Sequence, residues 1–282
     1  MVAPVIVTGA SGFIGGHLVA RLAASGADVT AVSRRPIEAP DGVQSVVVSN
    51  YQDTPARPDA VLVHCAGERD AAAAEAAGHD GVAETTQMAQ TLVAKDFAAS
   101  ILLSSALVYG DDSEAPHATT NPTPATGLYA QGKLAAEGVF LSAGGCVLRL
   151  ANAFGPAMAP NNVVSDILGQ IPGSGPLTVR DGTPIRDFVW IDDLIGALVT
   201  AIADPHPGIY NVGSGVGTSV GALVRAALAV AGEPDRPVVS TNPPGKPSVL
   251  ILDGKDTEAV FGWRSTTNLE MGLRLMLEGT AT

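Results

Sequence analysis

Basic residues are scarce in this sequence. It holds 16 Lys and Arg against 28 Asp and Glu, a formal net charge of −12 at pH 7. An acidic chain gains little from displacing counterions on nucleic acid or from an anionic membrane surface, so neither partner is expected. Small anionic ligands stay compatible with it, because helix N-termini and a few well-placed arginines bind phosphate locally.

Cysteines and long apolar runs are also scarce. The two cysteines, Cys65 and Cys146, lie in apolar stretches typical of buried strands. We expect both to be reduced and the protein to be cytoplasmic. No run of about 18 apolar residues indicates a membrane span, and no secretory leader is expected because the first residues enter a strand pattern at once. The five histidines show no paired spacing, so no metal site is predicted.

Short runs rich in Val, Ile and Leu alternate with helical patterns through the first half of the chain. The runs are PVIVTGA, ADVTAVS, VQSVVVS, AVLVHCAG, SILLSSALVYG and CVLRLAN, and the helices are predicted over 12–25, 80–98 and 127–143. Continuous apolar strands between helices predict an α/β fold with a doubly wound parallel sheet of the Rossmann type. After residue 155 Pro and Gly become denser, which predicts a small, discontinuous C-terminal lobe. We therefore expect one domain over 1–155, rejoined by 186–212, and a lobe formed mainly by 156–282.

Three glycines mark the first junction of strand and helix, in TGASGFIGGHL. Gly9 permits a tight turn, Gly12 lets the backbone approach a pyrophosphate, and Gly15 lets helix and strand pack closely. The helix N-terminus faces the negative charge. A dinucleotide site is therefore predicted. Its expected contacts are Gly9, Ser11, Gly12, Phe13, Ile14 and Gly15 in the turn, and Ala66 and Gly67 at the end of the HCAG strand. A role for the adjoining Glu68 and Arg69 is left open.

Two arginines lie about 20 residues past this turn, where an acid would bind the ribose hydroxyls of NAD. Arg34 and Arg35, in AVSRRP, instead suit the 2′-phosphate of NADP, because a guanidinium offers opposite charge and bidentate geometry. The alternative is a pair of solvated surface arginines. NADP is the predicted cofactor, with NAD as the alternative, and NADPH favours a reduction.

Tyr129 and Lys133, in LYAQGK, stand four residues apart and so share one face of a predicted helix. A phenol ordinarily holds its proton at neutral pH, and a nearby ammonium favours the phenolate, which suits acid–base work. Ser104 and Ser105 end the preceding strand at the edge where α/β sheets bind ligands. A serine hydroxyl there suits a substrate carbonyl, although a turn can also satisfy it.

Six ordered motifs carry a family resemblance: TGxxGFIG, S-A-x-V-Y-G, Y-x-x-x-K, LRLANAFGP, RDFVWIDD and YNVGSG. With them the chain resembles the extended short-chain dehydrogenase/reductases of the NAD-dependent epimerase/dehydratase type, and is most similar to the nucleotide-sugar 4-ketoreductases. The resemblance makes Ser105, rather than Ser104, the catalytic Ser/Thr and Tyr129 the proton donor or acceptor. It also implies that Lys133 tunes the tyrosine and binds the nicotinamide ribose.

The same resemblance implies that Asn152, Asn162 and Arg186 touch the nucleotide diphosphate of a sugar substrate, bound by the C-terminal lobe. Alternatives are a helix cap for Asn152 and an ion pair of Arg186 with Asp187 or Asp192. A homodimer through the two long helices is implied as well. The loop 111–126, with His117, either covers the site or is simply solvated.

Departures from the family pattern narrow the chemistry. Dehydrating members carry Asp-Glu after the catalytic Ser/Thr, whereas this chain has Ala106 and Leu107, so 4,6-dehydration is not expected. At 81–85 the chain has GVAET where the family often has N-x-x-G-T. The resemblance therefore does not establish how this helix packs near the cofactor. Near PPGKP the family often has an arginine that binds the substrate diphosphate, and this chain lacks it. Lys246 would replace that arginine only as a point charge.

The resemblance, together with Arg34 and Arg35 and the missing dehydratase acids, leads us to expect an NADPH-dependent reduction at C4 of a nucleotide-activated, dTDP-linked 4-keto-6-deoxyhexose. A 4-epimerase that retains NAD is the alternative. A non-catalytic NADP-sensing protein is a third hypothesis, and the intact Ser105, Tyr129 and Lys133 argue against it.

Overall fold

The secondary structure alternates strand and helix, as expected, in a computed structural model that describes residues 3–68, 70–124, 126–160 and 162–279. The strands are β1 (Val5–Thr8), β2 (Val29–Ser33), β3 (Gln44–Val47), β4 (Arg57–His64), β5 (Phe97–Ser105), β6 (Cys146–Leu150), β7 (Asn152–Phe154), β8 (Leu177–Val179), β9 (Ile185–Trp190), β10 (Gly208–Val212), β11 (Gly217–Ser219), β12 (Val238–Ser240) and β13 (Val249–Leu250). The helices are α1 (Phe13–Ala24), α2 (Ala71–Val93), α3 (Leu128–Ser142), α4 (Val163–Leu168), α5 (Ile191–Ala203), α6 (Val220–Val230), α7 (Lys255–Phe261) and α8 (Leu269–Gly279).

Seven parallel strands form the central sheet, in the order β10-β6-β5-β4-β1-β2-β3. The strand order reverses between β1 and β4, so the crevice beyond their carboxyl ends is the topological switch point where such sheets bind ligands. The predicted α/β class and doubly wound sheet are confirmed.

Helices cover both faces of this sheet, because alternate residues of each buried strand point to opposite sides. Ile101 and Leu103 of β5 belong to a core shared with α1 and α5, whereas Leu102 packs with Phe140 of α3 and Ala89 of α2. No helix in the described part of the chain is long and apolar enough to cross a membrane.

A smaller sheet joins β9 to β11, β13 and β7, and β8 pairs with β12 beside it. Of the segment 186–212, β10 pairs with β6 in the central sheet, while β9 belongs to the smaller one. The division of the chain into a dinucleotide-binding domain and a sugar-binding lobe stays a prediction.

The helix predicted over 80–98 has different bounds in the structure, where it is α2. It begins at Ala71, where the Asp70 side chain accepts hydrogen bonds from two backbone amides, and it ends at Val93. Its helical geometry breaks at Gly78, whose φ is +68° and ψ is −160°. Residues 97 and 98 belong to β5, so the predicted end was wrong, because an apolar run alone does not separate a helix end from a strand start.

Candidate functional site

The glycine turn after β1 is shaped to receive a backbone-bound anion. Gly9 has a φ of +72°, and a Cβ there would lie 2.7 Å from the Ala66 nitrogen. A Cβ on Gly15 would lie 2.3 Å from the Gly9 oxygen, so only glycine allows α1 this close to β1. No side chain caps α1, which Phe13 and Ile14 begin, and its first amides therefore face the turn. This cradle fits a dinucleotide pyrophosphate.

The two predicted NADP arginines follow β2 at the same edge and are exposed. The Arg35 guanidinium donates a hydrogen bond of 3.2 Å to the Ser11 carbonyl in the glycine turn. The Arg34 guanidinium lies 5.6 Å from the centre of the Tyr51 ring. The buried Ser33 hydroxyl donates to the Arg35 carbonyl and stiffens the turn. Arg35 therefore lies against the glycine turn, while Arg34 lies beside Tyr51.

The end of β4 lies between the glycine turn and α3. A Cβ on Gly67 would lie 3.2 Å from Lys133 Nζ, and Ala66 closes against Gly9. Burial raises the pKa of the Cys65 thiol to about 12, so this cysteine is not a nucleophile at neutral pH. Glu68 is exposed, and its carboxylate accepts a hydrogen bond from the backbone amide of Asp70. Arg69 lies outside the described residues.

The predicted catalytic residues stand on β5 and α3, which pack together. Lys133 Nζ lies 5.7 Å from the centre of the Tyr129 ring, one helical turn away, and donates to the Leu103 carbonyl at 3.4 Å. Ser105 ends β5, and its Oγ accepts a hydrogen bond of 3.2 Å from the Leu107 amide. Accepting that bond leaves the Ser105 hydroxyl hydrogen available to a substrate oxygen.

The Ser104 side chain points into the protein interior rather than to the sheet edge. Its hydroxyl donates to the buried Glu137 carboxylate, which also binds Arg149 at 2.6 Å. This contact separates the two serines, because Ser104 is 5% exposed and committed to the protein interior. Glu137 and Arg149 were missed by the sequence analysis. One signal for Glu137 is that it continues the four-residue spacing of Tyr129 and Lys133.

The residues predicted to hold the substrate diphosphate differ in their surroundings. Asn152 is exposed at the start of β7, just past the carboxyl end of β6. Asn162 caps α4, where its side chain accepts from the amides of Val164 and Ser165, each at 3.1 Å. Asn162 Nδ2 also donates to the Ala159 carbonyl. The diphosphate roles stay predictions.

Arg186 pairs with Asp111 at 3.2 Å and donates to the Ser248 hydroxyl at 2.7 Å, so neither Asp187 nor Asp192 is its partner. Asp187 is buried instead beneath the YNVGSG turn. Burial raises the pKa of its carboxyl, which accepts hydrogen bonds from the amides of Ser214, Gly215 and Leu252. Lys246 is exposed in the loop before β13.

His117 is buried, whereas the other described residues of the loop 111–126 are exposed or partly exposed. Its ring stacks on Tyr109 at 4.8 Å, and burial lowers its pKa. Its amide donates to the Ile251 carbonyl, and its own carbonyl accepts from the Asp253 amide. These backbone bonds fasten this part of the loop to the strand region after β13.

Comparison with known proteins agrees with this geometry. A family model described as "NAD dependent epimerase/dehydratase family" matches residues 5–213. UDP-glucose 4-epimerase of Caenorhabditis elegans is 29% identical over 333 residues, covering 94% of each chain. dTDP-L-rhamnose 4-epimerase of Burkholderia thailandensis is 26% identical, covering 95% of this chain and 92% of its own. The structure of MoeE5 in complex with UDP-glucuronic acid and NAD superposes with a TM-score of 0.86 at 25% identity, covering 99% of both chains. With a Rossmann sheet, a glycine cradle and a Ser–Tyr–Lys set at one edge, this chain belongs to the NAD-dependent epimerase/dehydratase family of extended short-chain dehydrogenase/reductases and is an enzyme.

Proposed function

We propose that this enzyme uses NADPH to reduce the C4 carbonyl of a nucleotide-activated, dTDP-linked 4-keto-6-deoxyhexose. The observation that carries the proposal is the pair Arg34 and Arg35, both exposed just after β2, with the Arg35 guanidinium bonded to the glycine turn. The 2′-phosphate is the part of NADP that NAD lacks, and an arginine after the second strand of such a fold suits it. A net reduction would consume one NADPH in every turnover.

The fit to a dinucleotide rests on the backbone. Gly9 and Gly15 leave space that any Cβ would fill, and the uncapped N-terminus of α1 offers amides to the pyrophosphate. A charge-assisted hydrogen bond from arginine to phosphate contributes about 1.5–3 kcal/mol, or about 10- to 150-fold in affinity. NADPH should therefore bind more tightly than NADH by a factor in this range.

The chemistry follows from the three residues at the β5 edge. When bound in the glycine turn, NADPH would supply the hydride for the carbonyl carbon. Tyr129 gives its phenolic proton to the carbonyl oxygen, which becomes the alcohol, and Ser105 donates a hydrogen bond to that same oxygen. The Lys133 ammonium, one helical turn from Tyr129, stabilises the phenolate left behind. Solvent then returns the proton to Tyr129.

Elimination of water needs an acid and a base that this edge does not supply at the positions after Ser105. Ala106 is buried and Leu107 is 43% exposed, and neither side chain can move a proton.

A 4-epimerase that retains NAD is the second candidate. Similarity to UDP-glucose 4-epimerase and to dTDP-L-rhamnose 4-epimerase favours it, as does similarity to MoeE5, whose structure contains NAD. Such an enzyme would also use Ser105, Tyr129 and Lys133, so the catalytic residues alone do not distinguish the two candidates.

The deciding experiment is a fluorescence titration with NADPH and NADH, after the purified protein has been checked for bound cofactor. Turnover of a dTDP-4-keto-6-deoxyhexose is then followed by loss of NADPH absorbance. We expect tighter NADPH binding that Arg34→Ala abolishes, whereas Arg21→Ala, an exposed arginine on α1, leaves it unchanged. Protein that already carries NAD and interconverts UDP-glucose without added cofactor would refute ketoreduction in favour of epimerisation.

A further inference from the structure

Glu137 and Arg149 form an ion pair in the protein interior. Their side chains are 3% and 5% exposed, and both Nε and Nη2 of Arg149 donate to the Glu137 carboxylate. Removing two charges from water is costly, and hydrophobic residues often replace such a pair without loss of stability. The pair therefore calls for an explanation other than stability alone.

The position of Glu137 on α3 suggests a role for the ion pair in placing the catalytic side chains. Tyr129, Lys133 and Glu137 are spaced four residues apart, so they form one stripe along the helix. This stripe meets consecutive residues of β5: Lys133 donates to the Leu103 carbonyl, and Glu137 accepts from the Ser104 hydroxyl. The next residue of β5 is the catalytic Ser105. Two successive turns of α3 are thus bound to the two residues that precede it.

Arg149 extends the link to the turn that follows Ser105. Its guanidinium lies 4.7 Å from the centre of the Tyr109 ring, and Tyr109 ends the short 3-10 turn that Ser105 begins. The Tyr109 hydroxyl in turn donates to Asn211 of β10 at 2.9 Å. The ion pair therefore contacts each element that carries a catalytic side chain, α3 through Glu137 and the Ser105 turn through Tyr109.

We propose that Glu137 is a positioning residue, which with Arg149 sets the rotation and axial position of α3 so that Tyr129 and Lys133 face Ser105. Glu137 acts through these residues and touches no reacting atom. The inference rests on the proposed function only in that Ser105, Tyr129 and Lys133 carry turnover, and it holds equally for ketoreduction and for epimerisation.

The test compares Glu137→Gln, Arg149→Met and the double variant, using whichever turnover Tyr129→Phe abolishes. Glu233→Gln is the matched control, because Glu233 pairs with Arg236 at 2.9 Å in the C-terminal lobe. A misplacement of about 1 Å costs about 10²-fold in rate, so we expect Glu137→Gln to lower kcat by about 10- to 100-fold. The KM for the sugar should change by less than about threefold, and the control should retain its kcat.

The double variant separates positioning from stability. Removing both charges leaves no uncompensated buried charge, so the thermal midpoint should recover from its value in either single variant. The kcat should stay low, because the bond between α3 and β6 is still missing. Recovery of kcat together with the midpoint would overturn the proposal, as would a folded Glu137→Gln variant within threefold of wild-type kcat.

Ser104→Ala covers the case in which Glu137→Gln does not fold, since it removes a single hydrogen bond to the same carboxylate. Hydrogen exchange of the amides over 128–135 should accelerate in this variant and stay unchanged in Glu233→Gln. This measurement needs no substrate. A wild type without turnover on either class of sugar would refute the proposed function, whereas unchanged exchange over 128–135 would overturn the positioning role.

Discussion

Acidification from pH 7 to pH 5 should destabilise the fold through His64, the last residue of β4. Its ring is 5% exposed, and Nδ1 lies 2.7 Å from the Thr8 hydroxyl at the end of β1. It stacks on Phe140 at 6.0 Å and meets Tyr51 edge-on. Burial and, to a smaller extent, the positive charge of Lys133 together lower the pKa of His64 to about 3. The folded protein therefore holds this histidine neutral beside Thr8, the residue that precedes the glycine turn.

The size of the effect follows from the two pKa values. In the unfolded chain histidine titrates near pH 6.5, so between about pH 6.5 and pH 3 the unfolded state binds one more proton than the folded state. The free energy of unfolding must then rise with pH across this window and fall as the protein is acidified. Between pH 7 and pH 5 the loss from this one group is about 2 kcal/mol.

Other groups titrate with different signs, so a variant has to isolate His64. Burial lowers the pKa of His117 and adds to the loss, while burial raises the pKa of the Asp187 carboxyl and opposes it at lower pH. Urea unfolding of the wild type and of His64→Gln at pH 7, 6 and 5 gives the difference directly. His79→Gln, at an exposed position on α2, is the control. Equal losses of stability in wild type and His64→Gln between pH 7 and pH 5 would refute the reasoning.

Three further predictions concern the cradle, the chemistry and the start of α3. Gly15→Ala should lower dinucleotide affinity by at least about tenfold, measured by fluorescence titration, because its Cβ would lie 2.3 Å from the Gly9 oxygen. Tyr129→Phe should reduce kcat by about 10²- to 10⁴-fold while NADPH binding stays within twofold; a variant that keeps most of its rate would exclude Tyr129 as the acid. Glu75→Ala should cost about 1 kcal/mol in urea unfolding, because its carboxylate accepts from the Leu128 amide at 2.7 Å and α3 has no side-chain cap of its own. Equal destabilisation by Glu84→Ala, at an exposed position on the same helix, would contradict that role.

The central sheet could be predicted from the sequence because its signals are local. β1 and β2 are buried at every position, so each reads as a continuous apolar run. The junction of β1 and α1 accepts only glycine at positions 9 and 15. The spacing of these glycines makes the junction recognisable in the sequence. Each of these features is contained within a few consecutive residues, where propensity and steric restriction act directly.

The second helix could not be placed in the same way. The alanines before Gly78 carry no apolar periodicity, so nothing in the pattern distinguishes them from a loop. At the other end Phe97 and Ala98 continue the apolar character of the helix into β5. The helix begins where the Asp70 side chain caps it, and it ends before Phe97 because β5 pairs with β4. Both contacts form only when the chain folds.

Contacts between distant residues account for what was missed at the site. The partner of Arg186 is Asp111, 75 residues earlier, rather than either of the neighbouring acids. His117 is buried because backbone bonds to the region after β13 draw it onto Tyr109, although its own segment reads as a polar loop. Motif spacing places residues along one element, but it does not indicate which side chains meet between elements.

The contact between Arg149 and Glu137 is one contact between elements that the sequence does indicate. Arg149 is the one charged residue in the apolar strand CVLRL, and a guanidinium in a buried strand requires an acid and further hydrogen-bond acceptors nearby. Glu137 lies on the stripe of α3 that already carries Tyr129 and Lys133, and α3 is the helix that connects β5 to β6. A helix in that connection packs back onto its own two strands, so the acid on its inner face is the natural partner for a charge on the second strand. An isolated arginine in a central strand, together with an acid on the helix that precedes that strand, therefore points to the buried pair of Glu137 and Arg149.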